Sequence, residues 1–168
     1  MIPGGYTISQ SQHIEIERRF LVRDDSFLAA RKGEEIVQAY LSIDPDKMVR
    51  VRKTPARATL TVKSRTPSIR RRLEFEYRIP LDDADQLLAL PGIQYQVTKK
   101  RYELNYQGYF WDVDRFSGSN EGLIIAEIEL TRESETFPRP PWLGAEITAD
   151  PRYLNLNLAQ HPFQLWNQ

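Results

Sequence analysis

Apolar and charged residues alternate with a period of two through most of the chain, the pattern of strands with two unequal faces. In the first such run, 14–22, Glu15, Glu17 and Arg19 share one face while Ile14, Ile16 and Phe20 share the other. The same alternation predicts strands over 36–43, 48–53, 59–65, 70–79, 94–105, 109–116 and 123–131. Their polar faces present Gln38 with Tyr40, Arg50 with Arg52, Thr61 with Lys63, Arg72 with Glu74 and Glu76, Lys99 with Arg101, Asp112 with Asp114, and Glu127 with Glu129. Proline, glycine and asparagine clusters such as Asp44-Pro45-Asp46, Thr66-Pro67-Ser68 and Gln107-Gly108 mark the turns between them. Two stretches with acidic residues first predict helices: 24–32, stopped by Gly33, and 82–90, closed by Pro91-Gly92. Asp150-Pro151 fits a helix start, so the C-terminal stretch is read as a cap or an outer helix.

Eight strands in hairpin-like succession predict a mainly β fold with some helix (α+β). The expected form is a closed eight-stranded antiparallel barrel, or tunnel, whose lumen holds side chains or one small ligand. The plain alternative is that the charged doublets form the solvated face of an ordinary half-buried sheet. Two features oppose it. Carboxylates two apart on a strand stand about 6.7 Å apart and repel by roughly 2.5 kcal/mol at an effective dielectric near 20. A solvated face intersperses signs, whereas Arg50/Arg52, Asp112/Asp114 and Glu127/Glu129 are unmixed. If the charged faces turn inward, the outer apolar band needs cover, and the helical segments with apolar stripes supply helices packed outside.

Composition narrows the class. At 168 residues and 40% hydrophobic, the chain is long enough for one domain, expected over 13–160 between a flexible segment 1–12 and a tail 161–168. Lys+Arg and Asp+Glu balance at 23 each, so ion binding must come from local clustering, and nucleic acid is not an expected partner. The absence of cysteine removes disulfides and thiolate metal sites. No signal peptide or apolar span is evident, so no membrane partner and a cytoplasmic location are expected, as a monomer or homodimer.

A lumen lined by both signs of charge cannot stay empty, because unpaired buried charges cost several kcal/mol each, on the order of magnitude of a whole domain's margin. Acidic doublets suit hard divalent cations such as Mg²⁺ or Mn²⁺, and the basic ones suit phosphate oxygens. A polyphosphate with bound metal satisfies both.

The runs Glu15-Ile16-Glu17-Arg18-Arg19-Phe20, Gln38-Ala39-Tyr40-Leu41, Val49-Arg50-Val51-Arg52, Leu60-Thr61-Val62-Lys63, Arg72-Leu73-Glu74-Phe75-Glu76, Lys99-Lys100-Arg101-Tyr102, Asp112-Val113-Asp114 and Glu127-Ile128-Glu129 together resemble the CYTH superfamily of triphosphate tunnel metalloenzymes. The resemblance spans about Glu15 to Asn155. It implies metal-dependent cleavage of a phosphoanhydride bond, with an inorganic triphosphate as the leading substrate. It puts Glu15, Glu17, Glu74, Glu76, Asp112, Asp114, Glu127 and Glu129 on the metal side. Arg19, Arg50, Arg52, Lys63, Arg72, Lys99 and Arg101 fall on the substrate-binding side, with Arg19, Tyr40 and Lys99 as the expected catalytic groups. The family's ExExK lysine is Arg19 here, which keeps a cation but cannot act as a neutral base. Thiamine triphosphatase, nucleoside triphosphatase and class IV adenylate cyclase share the fold and stand as rivals, as does a non-catalytic polyphosphate-binding module. His13 and His161 are read as surface residues, and Trp111, Trp142 and Trp166 as outer packing.

Overall fold

A computed structural model describes residues 14–44, 47–65, 71–91, 93 and 95–166, without the side chains at 65, 71 and 72. The segment 1–12 and His13 lie outside the described residues. Strands form at β1 (Ile14–Val22), β2 (Glu34–Ile43), β3 (Lys47–Lys53), β4 (Ala58–Arg65), β5 (Arg71–Ile79), β6 (Gln96–Tyr106), β7 (Tyr109–Phe116), β8 (Ile124–Glu129) and β9 (Leu143–Glu146). All eight expected strands are present. They pair antiparallel in the order β5-β4-β3-β2-β6-β7-β8-β1, and β1 returns to β5 to make a ring.

Among the described residues, β1 meets β5 at Ile14 with Leu73, Glu15 with Arg72 and Ile16 with Arg71. Beyond them, Phe20 and Val22 of the same strand pair with β9 instead. This ninth strand was not expected, because it is four residues long and follows the prolines at 138, 140 and 141. Gly144 permits its approach: a Cβ there would stand 2.8 Å from the Leu21 carbonyl oxygen.

The expected helix over 24–32 is replaced by one 3-10 turn, Ser26–Leu28. Tertiary packing overrides propensity here. Leu28 is buried in the core beside Trp142, whose ring stacks on Phe27 at 4.8 Å. The Asp24 carboxylate accepts the Ser26 N–H at 3.0 Å. Gly33 serves a different purpose from stopping a helix, since a Cβ there would meet Lys100 at 2.7 Å and Tyr102 at 2.9 Å.

Outside the ring, Phe20, Trp111, Val113, Ala126 and Ile128 form the main core with Trp142, and α1 (Leu81–Leu88) covers Ala39, Val51 and Ala58. Trp111 is fully buried, as its alternation with Asp112 requires. The second helix, α2 (Asn155–Gln160), behaves as a cap. Its Leu158 packs with Val97, Phe116 and Ile125, which lie two residues along the strands from Lys99, Asp114 and Glu127 and so share their faces. The charged lumen therefore gives way to an apolar plug. Among the described residues, no helix is long and apolar enough to cross a membrane.

Candidate functional site

The ring's register decides which charged side chains meet. Across β6 and β7, Arg101 stands opposite Asp114, and across β4 and β5, Lys63 stands opposite Glu74. Across β1 and β8, Glu17 stands opposite Glu129, and across β7 and β8, Asp112 stands opposite Glu127. Like charges directly opposite are destabilising unless a cation intervenes. The outcome is one cavity of about 660 Å³ whose wall includes Glu15, Glu17, Glu74, Glu76, Asp112, Glu127 and Glu129 together with Arg19, Arg50, Arg52, Lys63 and Arg101. Tyr40 lines it as well, and its hydroxyl accepts a hydrogen bond from the Gln38 amide at 2.8 Å.

Three local arrangements divide this wall. Arg101 binds Asp112 at 2.5 Å, Asp114 at 2.6 Å and Glu127 at 3.0 Å, so three carboxylates share one guanidinium. Lys63 bridges Glu15 at 2.5 Å and Glu74 at 2.8 Å, and Arg50 reaches Glu74 at 3.2 Å. Arg19 is held at the backbone end of the cavity, its Nη2 donating to the Thr148 carbonyl at 3.2 Å while Nε stays 3.6 Å from Glu17. The Nε atoms of Arg19 and Arg50 are buried without a hydrogen-bond partner. An orphaned guanidinium donor of this kind costs desolvation energy until an acceptor arrives.

Electrostatics follow the same division. Burial pushes the Glu15 carboxyl above its ordinary range, and Lys63 only partly offsets it. Glu129 is likewise raised, by burial and then by the carboxylates of Glu15, Glu74 and Glu17. Glu74 goes the other way: burial would raise it, but Lys63 and Arg50 hold it below the usual range. Burial and then Arg50 and Arg101 bring the Arg52 guanidinium down to about 10.

Two expected site residues do not reach the cavity. Lys99 is fully buried and paired with Asp114, whose own side chain is 1% exposed, and both sit under Arg101 rather than on the wall. Burial lowers the Lys99 amine to about 8 despite that partner, and its Nζ lies 5.5 Å over the Phe116 ring at the edge of the apolar plug. Burial would raise Asp114, but Arg101 and Lys99 hold it well below the usual carboxylate range. The side chain of Arg72 lies outside the described residues, and its backbone pairs with Glu15. Other residues were missed. Gln38 is fully buried and also accepts from Arg52 Nε at 3.3 Å, and Thr148 receives the Arg19 N–H at 3.0 Å from 129 positions away. Leu154 and Asn155 bring the C-terminal cap to the cavity wall. Among the described residues, no three carboxylates or histidines are gathered closely enough to hold an ion by themselves.

Comparison with known proteins bears on this geometry. A family model described as the CYTH domain matches residues 13–161. The chain belongs to the CYTH domain family. Among its relatives, an inorganic triphosphatase of Acetivibrio thermocellus is 44% identical over 150 residues, covering 89% of this chain and 96% of that protein. An inorganic triphosphatase of Nitrosomonas europaea is 33% identical over 152 residues, covering 86% and 96%. A solved inorganic triphosphatase superposes on this CYTH chain with a TM-score of 0.62 at 29% identity, covering 92% of this chain and 97% of that one. A conserved protein of Pyrococcus furiosus shares the fold at 23% identity and a TM-score of 0.56, covering 71% and 80%.

Proposed function

We propose that the chain hydrolyses a phosphoanhydride bond of a short inorganic polyphosphate, tripolyphosphate first, and uses Mg²⁺ or Mn²⁺ to do so. The observation that carries this reading is the pair of orphaned guanidinium donors, Arg19 Nε and Arg50 Nε, in the same cavity as a row of opposed carboxylates. Phosphate oxygens are the acceptors those donors lack. The carboxylate row has the chemistry of a divalent cation site, with Glu17 and Glu129 on one side and Glu15 and Glu74 on the other. A Mg²⁺ ion takes one or two carboxylates and completes its shell with water and substrate phosphates, so three convergent protein ligands are not required. When bound, such an ion supplies charge neutralisation on the phosphate oxygens.

The residues of the chain then divide the work. Arg19, Arg50 and Arg52 bind and orient the polyphosphate, and Lys63 and Arg101 exchange carboxylate partners for phosphate or hold the carboxylates in place. Arg19 stays protonated throughout, so its contribution is electrostatic. Tyr40, steadied by Gln38, positions substrate from the opposite wall. Two curated relatives named as inorganic triphosphatases support the choice of substrate.

Initial rates of phosphate release from tripolyphosphate, ATP and thiamine triphosphate at matched Mg²⁺ and Mn²⁺ test it. Tripolyphosphate is expected to be turned over fastest, and chelation is expected to abolish release. Faster release from either organic triphosphate, or cyclic AMP as product, overturns the substrate; equilibrium binding without turnover overturns the activity.

A further inference from the structure

A second cavity of about 340 Å³ opens at the barrel end beside the β3–β4 turn and adjoins the large one, with Arg52, Glu76, Arg101 and Asp112 lining both. Arg52 and Arg101 belong also to the polyphosphate reading, whereas Thr59 and Arg78 of this cavity's wall have no part in it. Its wall also holds Thr59, which is 8% exposed and whose Oγ1 is buried without a hydrogen-bond partner. A hydroxyl left unpaired in a polar cavity is an incomplete site, because buried polar groups ordinarily find partners. Thr59 stands directly opposite Arg52 on β3 and Arg78 on β5, so the hydroxyl lies between two guanidinium-bearing positions.

The charges around it leave room for an anion. Glu34 faces Arg57 at 3.9 Å, Asp112 is engaged by Arg101 at 2.5 Å, and Glu76 accepts the Thr61 hydroxyl at 3.0 Å. Among the described residues, Arg52 has the Gln38 amide oxygen as its partner at 3.3 Å and Arg78 makes no ion pair. Burial, and then the neighbouring cations Arg50 and Arg101, depress the Arg52 guanidinium against the opposing pull of Asp114 and Glu76. Glu103 is the wall's carboxylate without a basic partner among the described residues, and it does not balance two guanidinium groups.

We infer that this second cavity is an oxyanion site that takes inorganic phosphate, with the Thr59 hydroxyl donating a hydrogen bond and Arg52 and Arg78 supplying charge. That phosphate is the physiological occupant rests on the proposed hydrolysis, whose product it is; the site itself does not. Because the two cavities share a wall, phosphate freed from the polyphosphate has a neighbouring basic position to occupy.

Titration of the full chain with inorganic phosphate, without added divalent metal and followed by calorimetry, tests the site. Thr59→Val removes the hydroxyl at constant shape, and Arg78→Ala removes an exposed cation. Each is expected to weaken phosphate binding at least about fivefold, the scale of one ordinary hydrogen bond's net contribution. Initial tripolyphosphate rates without added phosphate should stay within about twofold of the parent. Equal phosphate affinity in the parent and both variants, or no phosphate binding by the parent, overturns the site. Variant-sensitive phosphate binding in a chain that hydrolyses no polyphosphate supports the site and overturns only the activity.

Discussion

The β6–β7 seam and the β1–β8 seam are built from the same kinds of side chain and do opposite things with them. At β6–β7 the register sets Arg101 against Asp114, and the Lys99 amine fills the space beneath, so the charges satisfy one another. At β1–β8 it sets Glu17 directly against Glu129, with Arg19 Nε of the same strand 3.6 Å from Glu17. Within the first seam the Lys99–Asp114 pair is structural electrostatics, buried beneath Arg101 and bordering the apolar plug, while Arg101 and Asp112 stay on the cavity wall. The second leaves two carboxylates facing each other across the ladder, the arrangement that the proposed metal-bound polyphosphate would relieve. A doublet of charges on a strand is therefore not by itself a site; what faces it across the ladder decides.

The largest effect expected from breaking this contrast lies at the satisfied seam. Asp114→Asn leaves Lys99 wholly buried without its counter-charge, and removal of one partner of a buried pair costs about 3–5 kcal/mol. Urea unfolding of the variant measures it, and a loss under about 1 kcal/mol would mean that the pair is dispensable. At the unsatisfied seam the sign reverses. Glu129→Gln is expected to reduce metal-dependent turnover by about 100-fold, equivalent to about 2.7 kcal/mol, while the metal-free protein becomes no less stable. Its stability gain over the parent should be greatest at pH 7. The Glu129 carboxyl titrates above its unfolded range, so its ionisation opposes folding above that raised value. As pH falls through the raised range, protonation relieves the parent and the gap between parent and variant closes; a gap that widens on acidification contradicts the assignment.

The smallest effect belongs to Arg19, which stands in the β1–β8 seam opposite Glu127. Arg19→Ala should weaken both substrate affinity and turnover, whereas Arg19→Lys should keep activity within about tenfold, since a single cation survives. Comparison of pH–rate profiles sharpens this: a new alkaline ionisation in the lysine variant alone would assign proton transfer to that position. An alanine variant indistinguishable from the parent would remove Arg19 from the site.

The alternation of Glu15/Glu17/Arg19 with Ile14/Ile16/Phe20 was enough to read the strands and the inward charged face, because a period of two is a local property of the chain. What could not be read was register. Nothing near Lys99 reveals that Asp114 will cover it, and both were taken for cavity groups from their doublets and the family resemblance. Thr148 and β9 were missed for the same reason at longer range: their work is to hold Arg19 and finish the edge of β1, more than a hundred positions away. The stretch 24–32 failed differently, with helical composition overruled by the burial of Leu28 and the stacking of Phe27.

The edges of β1 carry a consequence for how the protein is made. Its partners are β5, β8 and β9, and one contact on it, Arg18 with Glu146, closes a span of 128 residues. Loop closure of that length is slow compared with the hairpins β2–β3, β3–β4, β4–β5 and β6–β7, which can zip as they emerge. β5 emerges well before β8 and β9, so the side of β1 that meets β8 and β9 is the last to close. Through that interval this edge stays unpaired, and the glutamates and arginines of the strand disfavour its pairing with a neighbouring chain.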